Sequence, residues 1–224
     1  MRCDPAAGQP EVTAVIVDFG GVMTQPVTEM FKHFADVVGL SREQSRAVIG
    51  AVYRGGAAGD GAIQQLERGA ITPEDLEVDL AAAVGAVTGR QVPAAGLFAQ
   101  LWGALRLDPL MVAGIGRLRR SGVATALLSN SWGADNYPFA DLEGVVDAWV
   151  ISGEVGIRKP DEAIYALALE RVGRTPGECA FVDDLAANVD VAVGLGMQGI
   201  HHRTAEDTLA RLSQLCRLPP DLTG

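Results

Sequence analysis

The 224-residue sequence has few cysteines, no cluster of basic residues and no long apolar run. Its three cysteines, Cys3, Cys179 and Cys216, are odd in number and widely spaced, which argues for reduced thiols in a cytoplasmic setting and against a disulfide framework. Residues 1–11 lack the apolar segment of a secretory signal, and no run approaches the roughly 20 apolar residues of a membrane span. The sequence therefore gives no reason to expect a membrane partner.

The chain is acidic, with a formal net charge of -10 and a pI of about 4.7. That balance argues against nucleic acid or an anionic membrane as the main partner. An anionic ligand would instead need local positive partners, such as a metal ion, one placed lysine or backbone N–H groups. With 48% hydrophobic and 21% charged residues, the composition is that of a globular protein.

The first chemical signal is the stretch from Val15 to Gly21. Three β-branched apolar residues lead into Asp18, and Gly20 and Gly21 follow shortly after. A short continuous apolar run predicts a strand buried on both faces, and the glycines allow a sharp turn close to a ligand. Asp18 then lies at the carboxyl end of the strand, where open α/β sheets bind their ligands. Taken alone, the motif fits a strand that ends in a turn-forming aspartate equally well.

Strands and helices alternate in the second half of the chain. We predict strands at 13–19, 123–128, 148–152, 179–182 and 197–201, and helices at 109–121, 160–172, 188–194 and 204–217. This alternation predicts an α/β protein whose parallel sheet is covered by helices on both faces.

The segment 24–107 has helical signals and no convincing strand. A capping box at Ser41 and Gln44 begins a helix that ends before Gly55-Gly56, and Thr72-Pro73 begins another. We therefore expect three parts: a loose tail at 1–11, an α/β core formed by 12–23 and 108–224, and a helical insertion at 24–107.

Polar side chains end three of the predicted strands, and one lysine precedes a predicted helix. They are Asp18, Ser129 with Asn130, Asp183 with Asp184, and Lys159. Because parallel strands share one carboxyl edge, the fold should bring these residues together. A carboxylate nucleophile, a hydroxyl, an ammonium and an acidic pair are what metal-assisted phosphoryl transfer requires, and acidic oxygens suit Mg²⁺. Considered singly, Lys159 also fits a solvated lysine, and Ser129 and Asp183 also fit helix caps.

Four short motifs occur in the order typical of one enzyme superfamily. They are Asp18-Phe19-Gly20-Gly21-Val22, Leu128-Ser129-Asn130, Gly156-Ile157-Arg158-Lys159-Pro160-Asp161, and Phe181-Val182-Asp183-Asp184 followed by Asn188. Over residues 13–212 the chain resembles the haloacid dehalogenase (HAD) superfamily. The resemblance implies a Rossmann-like core with a helical cap inserted between the first two motifs, a position that segment 24–107 matches. The cap type is similar to that of the phosphatase domain of soluble epoxide hydrolase.

The resemblance also implies a role for each motif residue around a metal. Asp18 would be the nucleophile that becomes an aspartyl-phosphate. It would bind Mg²⁺ together with the backbone carbonyl of Gly20 and the carboxylate of Asp184. Asp183 and Asn188 would orient the water ligands of the metal.

The remaining motif residues would face the phosphoryl group. Ser129 would hydrogen-bond it, Lys159 would balance charge between it and the nucleophile, and Asn130 and Gly21 would complete the phosphate site. The implied function is Mg²⁺-dependent hydrolysis of a small phosphorylated metabolite through an aspartyl-phosphate.

One position departs from the family pattern. Family phosphatases usually carry a second aspartate two residues after the nucleophile, as general acid for the leaving group, and here that position is Gly20. General acid catalysis is typically worth about 10²–10⁴-fold. Three interpretations remain open: a substrate with a good leaving group, a proton supplied by the cap or the substrate, or a non-catalytic domain that binds a phosphorylated ligand or a protein partner. Dehalogenation fits less well, because the acidic pair resembles a retained metal site and dehalogenases of this family do not need a metal.

Overall fold

The computed structural model describes residues 11–54, 60–133, 136–219 and 222. Residues 1–10 of the expected tail, including Cys3, and the Gly55-Gly56 pair lie outside these ranges. Five strands form one sheet: β1 Ala14–Val17, β2 Ala124–Ser129, β3 Ala148–Ile151, β4 Cys179–Asp183 and β5 Gln198–His201. All neighbouring pairs are parallel, in the order β3-β2-β1-β4-β5. The predicted α/β fold with a Rossmann-like parallel sheet is therefore confirmed.

The described residues also form ten α-helices. They are α1 Val27–Val38, α2 Arg42–Tyr53, α3 Ala62–Glu67, α4 Pro73–Thr88, α5 Leu97–Trp102, α6 Pro109–Arg120, α7 Ser152–Val155, α8 Glu162–Val172, α9 Ala186–Gly194 and α10 Ala205–Leu215. Within the described ranges, none of them is long and apolar enough to cross a bilayer.

Helices cover both faces of the sheet because the strands are apolar on both faces. Val15 and Val17 of β1 pack with α6 and α10, whereas Ile16 packs on the opposite face with α8 and α9. All four residues of β1 are buried. The central strand thus has no polar side chain until the chain reaches Asp18.

Helices α1 to α5 lie between β1 and α6 in sequence and share an apolar cluster, which Trp132 of the loop after β2 joins. Two chain segments connect them to the sheet and pair with each other, through Gln25 N to Arg106 O and Asp108 N to Met23 O, both 2.9 Å. Within the described part of 24–107 there is no strand of the sheet. Capping boxes at Ser41 and Thr72 begin α2 and α4 at the positions expected from sequence.

Several element ends differ from the sequence prediction. The first strand ends at Val17, because residues 19–23 form a wide turn closed by Thr24 N donating to Phe19 O at 3.2 Å. The strand predicted to reach residue 152 ends at Ile151, where the one-turn helix α7 begins. The helix predicted from residue 160 begins at Glu162.

Candidate active site

Three carboxylates meet at the carboxyl edge of the sheet, where the strand order reverses. Asp18 follows β1, Asp183 ends the neighbouring strand β4, and Asp184 comes next. One carboxylate oxygen from each lies within 4.8 Å of the others. This switch point is where open α/β sheets form their ligand crevice.

Lys159 is buried between two of these carboxylates, with 1% of its side chain exposed. Its Nζ lies 2.7 Å from Asp18 Oδ1 and 2.7 Å from Asp183 Oδ2. Asn130 fixes the backbone of Lys159 reciprocally: Lys159 N donates to Asn130 Oδ1 at 2.8 Å, and Asn130 Nδ2 donates to Lys159 O at 3.1 Å. The solvated alternative for Lys159 is therefore wrong. The Asn130 side chain thus holds the lysine in place, and Asn130 also lines the cavity above the sheet edge, so its expected phosphate contact stays a prediction.

The electrostatics of the cluster follow from burial. Burial raises the pKa of Asp18 to about 8. The positive charge of Lys159 opposes this rise, whereas the negative charges of Asp183 and Asp184 add to it. Burial and the charge of Asp183 likewise raise the pKa of Asp184. Burial by itself would lower the pKa of Lys159, but the carboxylates of Asp18 and Asp183 raise it above its ordinary value. Three carboxylates thus share one buried ammonium, and negative charge is in excess.

Asp183 and Asp184 differ in their surroundings. Asp183 is fully buried and accepts hydrogen bonds from Leu185 N at 2.9 Å and from Asn188 Nδ2 at 3.0 and 3.1 Å. Asp184 lines a cavity above the sheet edge. The structure therefore orients Asp183 by neighbouring donors and presents Asp184 to the cavity.

The two glycines after Asp18 differ in a way that sequence did not reveal. Gly21 has φ +76°, and a Cβ there would lie 2.6 Å from Asp184 Oδ2, so glycine lets Asp184 approach the turn. Its N–H donates to Thr24 Oγ1 at 2.9 Å. The phosphate contact expected of Gly21 stays a prediction. Gly20 has φ -68° and ψ 119°, a conformation open to any residue. A Cβ there would meet the side chain of Val27 at 3.2 Å.

Ser129 at the end of β2 has a buried partner that the sequence did not predict. Tyr137 donates its hydroxyl proton to Ser129 Oγ at 2.8 Å, and its ring lies 4.8 Å from that of Phe19. Burial raises the pKa of Tyr137. The phenol is therefore a neutral donor that orients the Ser129 hydroxyl.

Above these groups lies a cavity of about 190 Å³. Its floor is polar and consists of Asp18, Gly20, Ser129, Asn130, Lys159, Asp184 and Asn188. Its walls are largely apolar and come both from helices α1, α2 and α5 and from loops: Phe19, Val27, Met30, Tyr53, Trp102, Leu105, Trp132, Tyr137 and Leu185. Two charged side chains, Glu67 and Arg158, also lie on the wall. The sequence predicted the residues of the floor but did not predict those of the walls.

The donor set fits a magnesium ion. The oxygens of Asp18, Asp183 and Asp184 are hard ligands within reach of a single cation. The single positive charge of Lys159 does not balance the negative charge of the carboxylates. The Gly20 backbone also lines the cavity. The residues present thus provide both the ligand chemistry and the charge that a divalent cation requires.

A cavity of this composition at the switch point of a parallel sheet defines an α/β enzyme with an acidic centre. The model of the haloacid dehalogenase-like hydrolase family matches residues 12–196, and the chain belongs to that family. The resemblance recognised in the four motifs is confirmed.

The chain is similar to several characterised relatives. A sesquiterpene phosphatase from Aspergillus oryzae is 32% identical over 155 residues, which are 68% of this chain and 78% of that protein. Mouse acyl-CoA dehydrogenase family member 10 is 30% identical over 216 residues, 92% of this chain. Rat bifunctional epoxide hydrolase 2 is 24% identical over 213 residues, 88% of this chain. The chain spans only 19% and 38% of the lengths of these last two proteins.

Solved structures show the same fold. A HAD family enzyme from Bacteroides thetaiotaomicron, in complex with magnesium and inorganic phosphate, has a TM-score of 0.62 at 22% identity, over 86% of this chain and 94% of that one. A HAD-like family hydrolase from Porphyromonas gingivalis has a TM-score of 0.66 at 20% identity, over 94% and 100%. At these identities the likeness concerns the fold.

Proposed function

We propose that the protein is an Mg²⁺-dependent phosphatase that hydrolyses a small phosphorylated metabolite through an aspartyl-phosphate. The observation that carries the proposal is the Asp18 carboxylate at the end of the central strand, 2.7 Å from a buried lysine and facing the cavity. The similarity to a sesquiterpene phosphatase supports phosphatase chemistry. The magnesium and phosphate in the Bacteroides enzyme support the metal.

The reaction has two steps. A carboxylate oxygen of Asp18 attacks phosphorus, the bond from phosphorus to the organic oxygen breaks, and that oxygen takes a proton from solvent. Water then attacks the phosphorus of the aspartyl-phosphate, which releases inorganic phosphate and restores Asp18. Ser129 donates a hydrogen bond to a phosphoryl oxygen, and Lys159 neutralises charge as phosphate and carboxylate approach.

A magnesium ion would be held by Asp18, Asp184 and the Gly20 carbonyl, with Asp183 and Asn188 orienting its waters. When bound, it would shield the carboxylate from the negative charge of the phosphate.

We also propose that residues 24–107 act as a cap over this site. Helices α1, α2, α3 and α5 each contribute wall residues, including Met30, Tyr53, Glu67 and Trp102. Two hydrogen-bonded chain segments join these helices to the sheet. Helices joined in this way can close over a site and exclude water while the phosphoryl group is transferred.

Phosphate release from phenyl phosphate, with Mg²⁺ or with a chelator, tests the proposal. Asp18→Asn should lower kcat by at least about 10⁴-fold, because it removes the nucleophile. Asp36→Asn, at an exposed position on α1, is the matched control and should retain full activity. Turnover by Asp18→Asn would refute the mechanism. If calorimetry detects Mg²⁺ binding but no substrate is turned over, the result would favour the alternative of a non-catalytic binding domain. That alternative is open because position 20 is a glycine and supplies no general acid.

A further inference from the structure

The cavity wall above the polar floor is an aromatic surface. The ring centroids of Trp102 and Trp132 lie 6.4 Å apart, those of Trp102 and Tyr137 6.2 Å, and those of Phe19 and Tyr137 4.8 Å. These spacings are those of favourable aromatic contacts. An apolar ligand gains by leaving water for such a surface, whereas a polyhydroxyl ligand would lose hydrogen bonds there.

The wall carries two charged side chains that cancel each other. Glu67 Oε2 lies 2.6 Å from Arg158 Nε, and their side chains are 8% and 20% exposed. Burial raises the pKa of Glu67, and Arg158 opposes that rise. The Glu67 carbonyl also accepts a hydrogen bond from Ser152 Oγ, so the core holds Glu67 in place at both its backbone and its side chain.

A second anionic group on the substrate would therefore find no spare cation. Among the described residues that line the cavity, the cations are Arg158 and Lys159. Arg158 is paired with Glu67, and Lys159 lies between Asp18 and Asp183 at the floor. An extra carboxylate or phosphate would be desolvated without a partner.

The size of the cavity indicates how much of the organic group the wall can surround. A volume of about 190 Å³ exceeds only modestly the roughly 150 Å³ of an apolar cavity that holds benzene. With the phosphoryl group at the floor, about one ring or an equivalent short chain fits above it.

We propose that the substrate is a phosphate monoester whose organic part is uncharged, apolar and about one aromatic ring in size. This inference rests on the proposed phosphatase function and specifies its substrate class. The aromatic wall selects the apolar group, and the Glu67–Arg158 ion pair excludes a second negative charge.

Two substrate pairs, assayed by kcat/KM with the Mg²⁺-loaded enzyme, test the preference. Phenyl phosphate should exceed 4-carboxyphenyl phosphate by at least about 10-fold, although the carboxyphenol is the better leaving group. Isopentyl phosphate should exceed glycerol phosphate, a polar alkyl ester, by a similar factor. Equal values, or a preference for the charged or hydroxylated member, would overturn the inference.

Wall variants separate selection from folding. Glu67→Gln frees Arg158 and should raise kcat/KM for 4-carboxyphenyl phosphate relative to phenyl phosphate by about 10-fold, a gain that misfolding cannot produce. Trp132→Ala should lower the ratio of kcat/KM for phenyl phosphate to kcat/KM for 4-carboxyphenyl phosphate. Trp149→Ala, which changes the tryptophan outside the cavity, should leave the preference unchanged. An unchanged ratio in Glu67→Gln would refute the role of the ion pair.

A binding measurement keeps the inference separate from the proposed function. Quenching of the tryptophan fluorescence of Asp18→Asn on titration of the same four esters reports affinity without appreciable turnover, because Trp102 and Trp132 line the site. If no ester is hydrolysed, the phosphatase proposal fails, and the fluorescence titration still decides the preference. Tighter binding of the apolar esters would support the inference, and equal affinities would overturn it.

Discussion

The floor and the wall of the cavity are built from different kinds of structure. The floor consists of strand ends fixed by short polar contacts, such as the two 2.7 Å contacts of Lys159. The wall consists mainly of aromatic and aliphatic side chains, many of them from helices inserted after β1. We propose that the floor performs the chemistry and the wall selects the substrate. Changes at the floor should abolish or rescue turnover, whereas changes at the wall should redirect it.

The largest effect on stability is expected from Lys159→Met. Without the ammonium, the buried carboxylates of Asp18 and Asp183 repel each other with no counter-charge. Removing one partner of a buried ion pair typically lowers the free energy of unfolding by about 3–5 kcal/mol. Urea unfolding in the absence of Mg²⁺ measures the loss.

The chain offers a matched control in Lys32, its other lysine. Lys32 is 69% exposed and lies 3.6 Å from Glu29, so Lys32→Met should change the free energy of unfolding by less than about 0.5 kcal/mol. Equal losses in the two variants would show that the ion pairs at the floor contribute little.

A smaller effect, and a gain, is expected from Gly20→Asp. The backbone at Gly20 suits any residue, and a carboxylic acid there would restore a proton donor near the leaving group. Turnover of isopentyl phosphate should become faster by about 10²-fold, the lower end of general acid catalysis. Phosphate release from alkyl and aryl esters measures it, and the aryl esters should change little.

Gly21→Asp is the neighbouring control and should have the opposite outcome. Its positive φ and the 2.6 Å approach of a Cβ to Asp184 Oδ2 make any side chain there disruptive. Loss of activity in both variants would indicate that the turn tolerates no side chain at either position.

The smallest effect is expected from Tyr137→Phe, which keeps the ring on the wall and removes the hydroxyl from the floor. Loss of the 2.8 Å hydrogen bond to Ser129 should lower kcat by about 10-fold, leave KM unchanged and preserve the preference for apolar esters. In a Ser129→Ala background the substitution should have no further effect on kcat. An equal loss in both backgrounds would refute this positioning role.

The floor could be predicted because local patterns specify it. Asp18 follows an uninterrupted apolar run, and Asp183 lies at the end of another, so the parallel sheet that the alternation predicts brings them to one edge. The buried position of Lys159 required the structure, since burial of a lysine depends on partners distant in sequence.

Part of the wall could not be predicted because its residues come from segments with weak local signals. Helices α3 and α5 are six residues long and begin after glycines that provide no side-chain cap. Tyr137 lies in a loop without a regular apolar period. The pairing of Glu67 with Arg158 depends on the packing of α3 against α7, which no local pattern encodes.

The central claim is that the floor transfers phosphate without a proton donor of its own. A series of uncharged substituted phenyl phosphates, with Mg²⁺ present, tests it most directly. We expect log kcat/KM to fall steeply as the pKa of the leaving phenol rises, and the slope to flatten in Gly20→Asp. A flat series with fast chemistry in the unmodified protein would contradict the account, because a group on the wall or on the substrate would then be supplying the proton.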